Sequence, residues 1–153
     1  MLDIGEKAPK LKGKLQDGSA IKLADFVGKP FVIYFYPKDA TPGCTLEAQG
    51  FRDAYAKFRK KGCAIIGVSR DSEASHAKFS DKHELPFPLV ADTDETWCRA
   101  FDVIGEKVLY GKAHVGVIRS TFLFGADGRL VEAWRNVRVP GHVEKVLERL
   151  TRQ

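Results

Sequence analysis

No stretch of this sequence comes near the roughly 20 consecutive apolar residues that a membrane-spanning helix needs. The first residues, Met1 to Glu6, lack the basic region followed by an apolar run that marks a secretory leader. Cysteine is scarce, with three in 153 residues, an odd number and too few for a disulfide scaffold. No two of Cys44, Cys63 and Cys98 have C-x-x-C spacing, and the four histidines are scattered, which argues against a zinc site and a thioredoxin-type dithiol. These absences lead to the expectation of a cytoplasmic protein without metal or cofactor, its cysteines either packed hydrophobes or working thiols.

What is present suits one domain over residues 1–153: hydrophobic residues are 44%, charged residues 29%, and the formal charge is +5. The densest basic cluster, Lys57, Arg59, Lys60 and Lys61, falls at the end of an expected helix, where cations complement the helix dipole. No nucleic-acid motif or aromatic platform accompanies it, so no specific nucleic-acid partner is expected.

The apolar pattern alternates between strand and helix. Lys12 to Leu23 reads as a hairpin turned at Asp17-Gly18. Phe31 to Tyr36 is a continuous β-branched and aromatic run, the mark of a strand covered on both faces. A helix is expected from Pro42 to Lys61, with Ala48, Phe51, Tyr55 and Phe58 as its apolar stripe and Gly62 as its stop. Strand Cys63–Val68, helix Ser72–His83, strand Phe87–Val90 and a short helix Glu95–Phe101 follow. Nothing is assigned between Phe101 and Arg119. Strands Ser120–Phe124 and Leu130–Trp134 come next, and a final helix carries Val143, Val146, Leu147 and Leu150 on one face. The fold class is α/β, a mixed sheet with helices on both faces after an N-terminal hairpin.

Thr41-Pro42-Gly43-Cys44 is the chemically informative stretch. Thr41 is a good N-cap, Pro42 suits the first helical position, and Cys44 then lies in the first turn. There a sulfur faces unpaired backbone N–H groups and the positive end of the helix dipole, both of which favour thiolate over thiol. Thiolates attack the O–O bond of peroxides and become sulfenic acids. Thr41 is placed to share that pocket through its hydroxyl, and Pro37 to shield it without a competing N–H. The spacing alone also fits a capped helix start with an inert cysteine.

Tyr36-Pro37-Lys38-Asp39-Ala40-Thr41-Pro42-Gly43-Cys44-Thr45 resembles the active-site loop of peroxiredoxins, and T-P-G-C-T followed by Glu47-Ala48 and Phe51-Arg52-Asp53 is similar to their bacterioferritin comigratory protein, or peroxiredoxin Q, branch. The match continues through Gly67-Val68-Ser69 with Asp71, Phe87-Pro88-Leu89, Phe101 and Val103, Gly105-Glu106-Lys107, Tyr110-Gly111-Lys112 and Arg119-Ser120-Thr121-Phe122-Leu123. The resemblance implies a thioredoxin-like fold and reduction of hydrogen peroxide and organic hydroperoxides by a thiol. It makes Cys44 the peroxidatic cysteine. Thr41 and Arg119 become peroxide-binding and thiolate-activating residues, Pro37 a shield, and Glu47 a residue that orients the arginine. It also implies a monomer, with a weak dimer as the alternative.

Two positions depart from that family. A second cysteine five residues after the first is replaced by Gln49, and the alternative on the next helix corresponds to Ser80. The expectation is therefore a one-cysteine cycle completed by glutathione, glutaredoxin or thioredoxin. The alternatives are resolution by Cys98 and a non-catalytic redox sensor.

Overall fold

The structure, a computed structural model, describes residues 1–152. Its central sheet grows outward from β3 (Phe31–Phe35), whose five residues are all buried. β4 (Ala64–Ser69) pairs with β3 in parallel, and β5 (Leu89–Ala91) pairs with β4 in parallel. On the other side β8 (Ser120–Phe124) runs antiparallel to β3, and β9 (Leu130–Arg135) antiparallel to β8, giving the order β5-β4-β3-β8-β9. Side chains alternate across a strand. Val32, Tyr34 and Tyr36 accordingly enter one core, while Phe31, Ile33 and Phe35 enter another on the opposite face.

The first core is covered by α1 (Pro42–Lys60), α2 (Glu73–His83) and α4 (His142–Thr151). α1 buries Ala48, Phe51 and Phe58, with Tyr55 partly buried, close to the expected stripe. It ends one residue short of the expected boundary, and Gly62 (φ +69) takes the chain out of the helix, its N–H donating to the Arg59 carbonyl. The second core is closed by α3 (Thr96–Ala100) and by the hairpin of β1 (Lys12–Lys14) and β2 (Ala20–Lys22). Gly18 (φ +82) makes the hairpin turn, as expected from Asp17-Gly18. The Trp97 indole N–H ties α3 to this hairpin by donating to the Lys12 carbonyl at 2.9 Å.

A hairpin absent from the sequence reading joins α3 to β8. β6 (Ile104–Leu109) pairs antiparallel with β7 (Lys112–Val117) and is turned by Tyr110 (φ +52) and Gly111 (φ +77). Val108, Tyr110 and Val115 on it are exposed. A ribbon wet along so much of its length carries no burial pattern, which is why periodicity does not reveal it. Among the described residues no helix is long and apolar enough to cross a membrane.

Gly67 in β4 leaves no room for a side chain in the first core. A Cβ there would lie 2.7 Å from Leu89 and 3.1 Å from the Tyr34 ring. Gly67→Ala is expected to lower unfolding free energy by about 1–3 kcal/mol through overpacking; an unchanged urea midpoint would contradict that packing.

Candidate active site

β3 ends at Phe35, and Tyr36 to Thr41 carry the chain over the sheet edge into α1. β8 is antiparallel to β3 with Ser120 opposite Phe35, so Arg119 lies just beyond the carboxyl end of β3, where α1 begins. Cys44 occupies the first turn of α1 and is 1% exposed. Arg119 donates from Nη2 to the Cys44 sulfur at 3.3 Å and from Nη1 to Glu47 Oε1 at 2.7 Å. Three of the expected site residues are thus joined by one guanidinium. Gly43 permits this, because a Cβ there would stand 3.2 Å from Arg119 Nη2. The backbone of Arg119 is held as well, its carbonyl accepting from the Val137 N–H at 2.9 Å.

Glu47 lies three residues after Cys44 on α1 and is fully buried. Burial pushes its carboxyl up from 4.5 to about 7, against the opposing pull of Arg119. Its second oxygen, Oε2, has no hydrogen-bond partner. The Arg119 guanidinium is held more firmly protonated by Glu47 and Cys44, which outweigh the opposite effect of burial. Lys107 on β6 loses some proton affinity to burial and to the nearby Arg119.

Thr41 occupies the N-cap position with extended backbone, but its side chain makes no cap. This corrects the expectation from its residue type. The hydroxyl donates to the Lys38 carbonyl at 2.8 Å instead, across a turn in which Ala40 has φ +62. Pro42, at the first helical position, offers no N–H to cap. The half-buried Pro37 lines a shallow cavity with Arg70, Asp71 and Glu95, and no hydrogen bond joins it to the Cys44 cluster.

Sequence reasoning gave no role to a second, buried cluster behind the loop. The Asp39 carboxylate accepts from the Tyr36 hydroxyl at 2.7 Å and the Ser75 hydroxyl at 2.8 Å, and pairs with His76 Nδ1 at 2.7 Å. His76 Nε2 faces the Val90 carbonyl at 2.9 Å. The Asp39 N–H donates to Asp71 Oδ2, which also accepts from the Ser69 hydroxyl. The one available signal was His76 at helical spacing from Phe79, and that pattern reads equally as core. Among the described residues, Asp39, Asp71 and His76 are the grouping whose ligand atoms lie within 4.8 Å of one another. The atoms named here already face hydrogen-bonding partners, so the cluster fits a closed network better than a metal site.

The other two cysteines lie far from Cys44 in different senses. Cys63 follows the far end of α1, some 24 Å away by helical rise, and burial pushes its thiol up to about 12. Cys98 is in the core on the opposite face of the sheet, its thiol raised by burial and by Asp92. All three thiols are free. Gln49 and Ser80, where resolving cysteines were sought, contact His83 and Gln16 respectively, each at 3.5 Å.

Residues 4–133 match the AhpC/TSA family. Peroxiredoxin Bcp of Bacillus subtilis is 48% identical over 97% of this chain and 95% of its own length. Peroxiredoxin Bcp of Xanthomonas campestris is 52% identical over 89% of this chain and 85% of its own. The bacterioferritin comigratory protein of Xanthomonas campestris, whose solved structure concerns alkyl peroxide reduction, superposes with a TM-score of 0.88 at 50% identity, covering 93% of this chain and 90% of that one. Peroxiredoxin Q of Xylella fastidiosa superposes with a TM-score of 0.94 at 42% identity, covering 99% and 97%. With its sheet order, its cysteine at a helix start and these likenesses, the chain belongs to the AhpC/TSA family, in the bacterioferritin comigratory protein and peroxiredoxin Q branch of the peroxiredoxins.

Proposed function

We propose that this protein is a thiol-dependent peroxidase reducing hydrogen peroxide and organic hydroperoxides at Cys44. The observation that carries the reading is the Arg119 guanidinium, which donates to the Cys44 sulfur while anchored on a buried carboxylate. The thiolate attacks the nearer peroxide oxygen, the O–O bond breaks, and Cys44 becomes a sulfenic acid as water or an alcohol leaves. Arg119 stabilises the thiolate and then the charge developing on the departing oxygen. The Thr41 hydroxyl, which donates to Lys38, still offers lone pairs to a peroxide O–H. Pro37 closes the loop side of the pocket against water.

A one-cysteine cycle accounts best for the thiols. An external thiol attacks the sulfenic sulfur, releasing water and forming a mixed disulfide; a second thiol frees Cys44. The position of Cys98 behind the sheet supports this over internal resolution. We take the protein to be a monomer of the cytoplasm, reduced by glutathione, glutaredoxin or thioredoxin. Steady turnover of peroxide with such a thiol separates this enzyme from a non-catalytic sensor.

One equivalent of peroxide should leave Cys44 with one added oxygen by mass spectrometry; a Cys44–Cys98 disulfide would overturn the one-cysteine cycle. Cys44→Ser should abolish turnover. Arg119→Ala should slow oxidation of Cys44 about 10²- to 10³-fold, the usual effect of deleting one preorganised donor, and an unchanged rate by stopped flow removes Arg119 from the mechanism.

Glu47 supplies a pH test. Its proton affinity is raised on folding, from 4.5 to about 7, so between these values the native state binds more protons than the unfolded one. Stability therefore falls as pH rises through that window, by something on the order of 3 kcal/mol. Glu47→Gln should flatten this decline in urea unfolding between pH 4.5 and 7.5; the same slope in both proteins would refute the assignment.

A further inference from the structure

Cys44 is 1% exposed, and the guanidinium of Arg119 lies against its sulfur. A peroxide presents only two small atoms at its reacting end. A thiol carried on a tripeptide or a protein is far bulkier, and it must approach the sulfenic sulfur in line with the S–O bond. That approach requires the loop of residues 37–41 and the first turn of α1 to move outward.

The contacts holding this loop against the rest of the molecule converge on one residue. Asp39, 5% exposed, takes Tyr36, Ser75 and His76 on its carboxylate, and its N–H is tied to Asp71. His76 is fully buried, and its other ring nitrogen faces the Val90 carbonyl of β5. Val90 O can only accept, so Nε2 carries a proton. On the other side of the ring, Nδ1 meets the Asp39 carboxylate at 2.7 Å. The bond is therefore polar, short and shielded from water, the setting in which such contacts are strongest. Next to Asp39, Ala40 is held at φ +62, a left-handed conformation that alanine rarely adopts. The loop is thus strained at one residue and fastened at its neighbour.

We propose that His76 is a positioning residue that fastens the Cys44 loop to α2 through Asp39, and that release of this fastener admits the external thiol to the Cys44 sulfenic acid. In that step the thiol sulfur forms an S–S bond with Cys44 as the S–O bond breaks, and the oxygen leaves as water with the thiol's proton. The inference rests on the peroxidase reading of Cys44.

The test separates the two half-reactions in the full-length protein. Wild type and variants are oxidised with one equivalent of hydrogen peroxide and then mixed with glutathione, each step being followed by stopped flow. Ser75→Ala deletes one hydrogen bond to the Asp39 carboxylate from the half-buried start of α2; His76→Phe keeps a ring and deletes the pair. Ser75→Ala should speed reduction by glutathione about ten- to a hundredfold, the effect of one bond to a charged group on an opening equilibrium, and speed amide exchange over residues 38–45 to a similar degree. It should not speed oxidation by peroxide, and Ser75→Thr should restore the wild-type rate. His76→Phe should act in the same direction and further; if it does not fold, Ser75→Ala carries the test alone. General damage slows both half-reactions, and that result overturns the proposal. Faster exchange without faster reduction overturns it too, as does unchanged exchange. Failure of the wild type to oxidise at Cys44 would instead refute the peroxidase reading.

Discussion

A guanidinium lodged between a sulfur and a fully buried carboxylate is the contact around which the site is organised. Glu47 cannot be ionised in that position without Arg119, and removing one partner of such a buried pair typically costs about 3–5 kcal/mol. The carboxylate therefore anchors the arginine, and the arginine's second branch is left for Cys44. Burial raises the proton affinity of Glu47 while Arg119 opposes that rise.

Two elements fix the reactive turn from opposite sides. Arg119 reaches it from the sheet, at the point where the antiparallel half of the sheet meets the parallel half. The Asp39 network holds it from α2. Between them the chain turns through Ala40 at positive φ and enters α1 through Pro42 and Gly43, residues chosen by geometry: one lacks an N–H that would go unpaired, the other lacks a Cβ that would press on the guanidinium. The position of Cys44 is thus set by tertiary contacts at both ends of a short loop.

The sheet also partitions the thiols. Cys44 and Cys63 share one core but stand at opposite ends of a 19-residue helix, and Cys98 is behind the sheet in the other core. Burial raises both of the latter thiols, which keeps them protonated and poorly nucleophilic. Neither of these thiols shares the helix start that holds Cys44.

Strong periodicity made much of the architecture readable from sequence. The all-apolar β3, the α1 stripe, the Asp17-Gly18 turn and the α4 face are written in residue types whose burial follows from local pattern. Cys44 at a helix start was equally legible, because N-terminal turns have their own residue signature. The exposed β6–β7 hairpin was not, since a wet ribbon needs no apolar alternation. Nor was the Thr41 hydroxyl's choice of the Lys38 carbonyl, which a turn at Ala40 decides. The partnership of Arg119 with Cys44 and Glu47 spans more than 70 residues and was placed only by resemblance; its geometry comes from the β3–β8 register. Asp39 and His76 are 37 residues apart, and His76 at helical spacing from Phe79 read equally as core, so their pairing was not legible. Local physics determined which residues form the strand, the helix and the reactive turn. Only the folded chain decided which distant charges meet there, because burial and register are properties of the packed sheet.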